Sequence, residues 1–158
     1  MKIYQFSKIA ARSFPTIADL NNPWIFQSDV ALVVNVSQNY SAIVADIIES
    51  KGITYLHIPL DEEVEDVGWD NLVRIVMTLL EYDREGKRMI VHCDFGQHRS
   101  RLVIEAFHYA KFGEHFIDHY KGYDNHLIYD CKSGHLPPLD GVEYILRKLN
   151  ETQEDSNQ

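Results

Sequence analysis

The sequence predicts a single α/β domain with a central, mostly parallel sheet flanked by helices. Three observations carry this. A valine-rich run, SDVALVVNVSQ (28–38), is apolar without alternation, the pattern of a strand covered on both faces. A helical pattern and then a second strand pattern follow it directly, which makes a strand–helix–strand unit and hence parallel pairing. A third apolar run, RMIVHC (88–93), lies between two further helical segments and is short enough to be a central strand.

Taken in order, KIYQFS (2–7) gives a weak strand signal ahead of the strand at 28–38. In YSAIVADIIESKG (40–52), Ile43, Val44, Ile47 and Ile48 recur at helical spacing, with Ser41 as N-cap and Gly52 as the residue past the end. ITYLHIPL (53–60) reads as the next strand, stopped near Pro59. An acidic loop, DEEVEDVG (61–68), leads into an amphipathic helix over 69–87, with Asp70 as cap and Leu72, Ile75, Val76, Leu79 and Leu80 on its apolar face. After the strand at 88–93, a helix over 100–111 turns Leu102, Val103, Ala106, Phe107 and Ala110 inward. Two more helices are predicted near 114–121 and 138–150, the second carrying Val142, Ile145, Leu146 and Leu149. The domain is thus expected to span 1–150, with 151–158 a polar tail.

The composition narrows the function classes. At 158 residues, 45% hydrophobic and 25% charged, the chain suits one globular core. Charged residues interrupt every apolar run before it reaches a membrane span, and the first residues lack the apolar stretch of a secretory signal. A net charge of −9 argues against nucleic-acid or anionic-membrane partners while leaving room for a small basic pocket. Two cysteines, Cys93 and Cys131, are too few for a disulfide scaffold, so a reducing, cytoplasmic setting is expected.

The chemistry concentrates at VHCDFGQHRS (91–100), where a strand ends in His92-Cys93 and Arg99-Ser100 opens a helix. A loop curling from strand to helix turns the backbone N–H groups of Asp94, Phe95, Gly96, Gln97, His98 and Arg99 inward, a nest suited to an anion. Gly96 permits the close approach such a turn needs, and the Arg99 guanidinium can grip two phosphate oxygens. The same dipoles favour a thiolate at Cys93, placed for attack on phosphorus to give a cysteinyl-phosphate. Ser100 is positioned to donate its hydroxyl to the sulfur in a second step, and His92 to orient the loop. Asp94 would oppose the thiolate if it pointed inward and is expected to face solvent. A general acid is also required, on a loop at the carboxyl end of a neighbouring strand. Asp61 comes first in that loop and is the choice, with Glu62, Glu63, Glu65 and Asp66 as rivals.

These residues resemble a known family. HCDFGQHRS matches the signature of cysteine-dependent protein tyrosine and dual-specificity phosphatases: His-Cys, any five residues, Arg, then Ser or Thr. YLHIPLDEE is similar to the family's strand and acid loop, and GHLPPLDGVEYILRKL to its closing loop and helix. The resemblance implies a dual-specificity-phosphatase-like fold and a protein-tyrosine-phosphatase activity. Cys93 would be nucleophile, Arg99 phosphate clamp, Ser100 thiolate-release hydroxyl, the 94–99 amides cradle and an acid-loop aspartate proton donor. It implies no metal and no cofactor. Alignment on Ile58-Pro59 leaves the acid between Asp61 and Glu62.

The loop carries no lysine and no second arginine, whereas members acting on inositol phosphates tend to have a more basic one. With the overall negative charge, this favours a phosphorylated protein bearing phosphotyrosine, or a small aryl phosphate. Cys131 is read as a structural thiol. His115, His119, His126 and His135 complete no recognisable metal site with it. Two other readings stand beside the phosphatase: a sulfurtransferase- or arsenate-reductase-like cysteine enzyme, and a non-catalytic phosphate-binding module. The second would not need the thiol.

Overall fold

The computed structural model describes residues 8–60, 69–94, 99–112 and 151. Its elements run β1 (Ile9–Arg12), α1 (Ile17–Leu20), β2 (Val30–Asn35), α2 (Ala42–Ser50), β3 (Thr54–His57), α3 (Trp69–Arg84), β4 (Arg88–His92) and α4 (Arg99–Phe112). The four strands form one sheet in the order β1-β4-β2-β3, and every pairing is parallel. All four therefore end on the same side, and the loops leaving them share that edge.

Both faces of the sheet are covered, which is why the strands read as continuous apolar runs. In β2, Leu32 and Val34 point into one layer with Leu72, Leu79 and Phe107 of α3 and α4. Val33, between them, points into the other layer with Val44 and Ile48 of α2 and Leu20 of α1. In β4, Met89 and Val91 join the first layer and Ile90 the second. The predicted inward face of α3 holds: Leu72, Ile75, Val76 and Leu79 are buried, and Leu80 packs against them half-buried. Val103, Ala106 and Phe107 of α4 are likewise buried.

The ends of α2 follow the sequence closely. The Ser41 hydroxyl accepts from the Val44 N–H at 3.3 Å, satisfying a donor that the first helical turn leaves open. Gly52 takes φ +79° just past the helix, a conformation that costs glycine little.

The strand expected at 2–7 lies outside the described residues, and the first described strand is Ile9–Arg12. Asp70 sits inside the first turn of α3, where its charge suits the helix dipole, and does not cap it. The short helix α1 was not anticipated, although Thr16 and Asp19 form a capping box: the Thr16 hydroxyl accepts from the Asp19 N–H and the Asp19 carboxylate from the Thr16 N–H. The helices predicted near 114–121 and 138–150 lie outside the described residues. No helix among the described residues is long and apolar enough to cross a membrane.

Candidate active site

The site is built on the end of β4, an interior strand. Its backbone is held from both sides past the last paired residue. The Cys93 N–H donates to the Arg12 carbonyl at 3.2 Å, the Phe14 N–H to the Asp94 carbonyl at 3.1 Å, and the Val36 N–H to the His92 carbonyl at 2.9 Å. The chain therefore leaves the sheet at a defined point and direction. Four residues outside the described set follow before α4 begins at Arg99.

Cys93 and Ser100 face each other across this turn. Cys93 Sγ lies 3.3 Å from Ser100 Oγ. Cys93 is 3% exposed and belongs to the layer packed between the sheet and α3 and α4. Ser100 is fully buried, which commits its hydroxyl to this neighbourhood. Arg99, 7% exposed, reaches Asp94 and the Leu60 carbonyl with its guanidinium. Its Nη2 donates to Asp94 Oδ2 at 2.7 Å and its Nη1 to the Leu60 carbonyl at 3.4 Å.

Asp94 does not face solvent as expected. Its two oxygens are split between two donors, Arg99 Nη2 on one and Asn39 Nδ2 on the other at 2.8 Å. The Asn39 amide, then the Arg99 cation, hold the carboxyl below the ordinary carboxylate range, against the opposing effect of its partial burial. The negative charge that motivated the expectation is met by these two donors.

Asn39 is itself fixed. Its carbonyl accepts from Asn35 Nδ2 at 2.8 Å and from Ser37 Oγ at 3.0 Å, while its N–H donates to Ser37 Oγ at 3.1 Å. Asn35 Oδ1 accepts from the Ser37 N–H at 2.9 Å. The loop after β2 thus satisfies its own polar groups and presents one side-chain amide to the turn. The sequence reading missed Asn39; the pattern N-x-S-x-N directly after an apolar strand was the available signal, since such residues bond local backbone at strand ends.

His92 lies on the opposite face of β4 from Cys93, fully buried. Its Nε2 and the Tyr55 hydroxyl share a hydrogen bond of 3.0 Å, and the Phe14 ring meets it edge-on at 4.7 Å. Nδ1 has no hydrogen-bond partner among the described residues. Burial pushes the imidazole pKa down to about 4, against the pull of the Cys93 backbone, so the ring is neutral at physiological pH. Burial also pushes the Tyr55 phenol up to about 12.

Phe95, Gly96, Gln97 and His98 lie outside the described residues, as do Asp61, Glu62, Glu63, Glu65, Asp66 and Cys131. Leu60, immediately before the acidic segment, is described. Its N–H donates to the Val36 carbonyl at 2.9 Å and its carbonyl accepts from Arg99 Nη1 and Gln38 Nε2. Among the described residues no group of three or more His, Cys, Asp and Glu is placed to hold a metal.

Comparison with solved structures places this architecture. The chain is similar to Tk-PTP in its active form, with TM-score 0.64 and 22% identity over 92% of this chain and 93% of that one. It is similar to the core catalytic domain of the PP-IP phosphatase SIW14 from S. cerevisiae, with TM-score 0.66 and 12% identity over 96% and 89%. PTPMT1 in complex with PI(5)P matches with TM-score 0.61 and 15% identity over 94% of both chains. The chain shares the fold of these phosphatases. No family model and no curated protein matches it by sequence.

Proposed function

We propose that the protein is a phosphoric monoester hydrolase of the protein-tyrosine or dual-specificity type, working through a cysteinyl-phosphate. The observation that carries this reading is the Cys93–Ser100 contact of 3.3 Å at the carboxyl end of an interior parallel strand, with Arg99, the residue next to Ser100, also buried. Ligands in open parallel sheets bind at that edge, and binding alone would not need a sulfur there.

In the proposed reaction the Cys93 thiolate attacks phosphorus in line, the ester P–O bond breaks, and the leaving oxygen takes a proton from an acid on the loop after β3. Water then attacks the phosphoenzyme, giving its proton to the same carboxylate, and the S–P bond breaks with phosphate departing. Arg99 and the amides of 94–99 hold the equatorial oxygens; Ser100 donates to the departing sulfur. Asp61 remains the choice for the acid, because Leu60, just before it, carries the carbonyl against the guanidinium. His92, neutral and on the far face, orients the strand end and takes no proton in either step.

The rim supports an aryl phosphate, phosphotyrosine in a protein above all. Ile17, Tyr40 and Ile43 are 55%, 56% and 64% exposed, and each lies on or just before a helix that starts from the site edge of the sheet. The Tyr40 ring stacks on His57 at 5.4 Å, which holds it in place beside the Asn39 amide. Exposed apolar side chains of this kind suit an aromatic ring or peptide better than a second phosphate.

The test is hydrolysis of p-nitrophenyl phosphate, phosphotyrosine peptides and inositol phosphates without added metal, with Cys93→Ser as control. Activity on the aryl esters, lost in Cys93→Ser while inorganic phosphate still binds, is expected. An active serine variant overturns the mechanism, and preferred hydrolysis of inositol phosphates overturns the substrate class.

A further inference from the structure

We infer that Asp94 is a positioning residue for the phosphate clamp, and that Asn39 acts through it, so that the loop after β2 sets the aim of Arg99. The inference rests on the phosphatase reading and names two side chains of that site which the signature motif does not specify.

A carboxylate beside a phosphate-binding guanidinium admits two opposite roles. It can occupy the clamp as an internal rival of the substrate, or it can brace the clamp from one side. The geometry separates them. A rival would turn both oxygens onto the guanidinium fork, as a bidentate carboxylate does. Asp94 gives Arg99 one oxygen only, Oδ2 on Nη2 at 2.7 Å, and commits the other to Asn39 at 2.8 Å. A guanidinium carries five N–H donors. Among the described residues, Asp94 takes one on Nη2 and the Leu60 carbonyl one on Nη1. The remaining donors are enough for a phosphate to be gripped while the brace holds.

The brace is anchored at its far end. Asn39 hangs from a loop closed by Asn35 and Ser37, and Asn35 is the last residue of β2. A rigid path therefore runs from the sheet through Asn39 and Asp94 to Arg99. Because Asp94 immediately follows Cys93, the brace also ties the guanidinium to the backbone that carries the sulfur. A long arginine side chain loses considerable rotamer freedom when it binds an anion. The pair spends that entropy at folding, so phosphate meets a clamp already in place.

The experiment measures inorganic phosphate binding by calorimetry, and p-nitrophenyl phosphate hydrolysis, on the full chain and on Asp94→Ala, Asn39→Ala and the double variant. Alanine at 94 keeps the backbone N–H of the cradle. Asp94→Ala is expected to weaken phosphate binding by on the order of tenfold, the scale of one charge-assisted hydrogen bond, and to raise KM in step. Asn39→Ala is expected to weaken it less, and the double variant to be no weaker than Asp94→Ala, because Asn39 works only through Asp94. Tighter or unchanged phosphate binding in Asp94→Ala identifies an internal rival and overturns the proposal, as do effects of the two substitutions that multiply. Should Asp94→Ala fail to fold, Asn39→Ala carries the test alone: unchanged binding overturns it. A chain that binds phosphate in an Asp94-dependent way but hydrolyses no ester sinks the hydrolase reading and leaves the brace standing. A wild-type chain that binds no phosphate overturns both.

Discussion

Replacing His92 with glutamine tests whether a buried neutral imidazole sets the acid stability of this fold. In the unfolded chain a histidine takes up a proton as pH falls through about 6.5. In the folded chain burial holds the His92 pKa down to about 4. Between these values the unfolded state binds a proton that the folded state refuses, so acid draws the equilibrium toward unfolding. Stability from this group is whole above pH 6.5, falls as pH drops, and is fully lost below pH 4. At about 1.4 kcal/mol per pKa unit, the gap amounts to about 3 kcal/mol. That is a large share of the roughly 5–15 kcal/mol that stabilises an ordinary domain. Glutamine keeps a polar terminus facing the Tyr55 hydroxyl but does not titrate. Urea unfolding of both proteins at several pH values between 7 and 4 is the assay. The carboxylates with lowered pKa, Asp19, Asp29 and Asp94, are common to both and cancel in the difference. Wild type is expected to lose about 3 kcal/mol more than His92→Gln over that range. Parallel loss in the two, or a folded-state imidazole titrating near pH 6.5 by NMR, refutes the reasoning.

Three further outcomes are expected. Ser100→Ala should leave the first half of the reaction fast and slow the second about 10- to 100-fold, the worth of a hydrogen bond to a charged sulfur; rapid-mixing assays with p-nitrophenyl phosphate should then show a burst, and its absence removes Ser100 from the release step. Asp61→Asn should slow turnover and abolish the basic limb of the pH–rate profile, which falls where a general acid deprotonates; the same effect from Glu62→Gln instead reassigns the acid. Phe107→Ala, which empties a fully buried ring site between the sheet and α3, should cost about 3–5 kcal/mol in urea unfolding, and a loss under about 1 kcal/mol would mean the layer closes over the gap.

The elements legible in the sequence are those whose burial leaves a mark on residue order. β2 and β4 are covered on both faces, so they carry unbroken apolar runs, and α3 keeps an apolar stripe because its other side meets water. Ser41 and Gly52 were readable because each serves a local backbone need. β1 was not: Ile-Ala-Ala-Arg is too short and too mixed to stand out, and its place comes from pairing with β4. The meeting of Cys93 and Ser100 was readable because a strand end and the helix that follows it bring such a spacing together. The role of Asp94 depended on Asn39, far away in sequence, and a charge judged alone is easily sent to solvent. Nothing in the spacing of residues marks a partner contributed by another strand's loop.

The strand that ends in Cys93 has a neighbour on each side, and both neighbours bond to it up to its final residues. The strand end that carries Cys93 is thereby clamped by main chain, whose bonding does not depend on which side chains the neighbours carry. The segment after β2, by contrast, starts from that same edge and reaches Asp94 with a side chain of its own, Asn39. Side chains in that segment can change while the main-chain bonds that hold the end of β4 stay as they are. A library confined to Tyr40 and Ile43, both exposed, would therefore vary the rim while leaving Asn39 and the acid loop untouched.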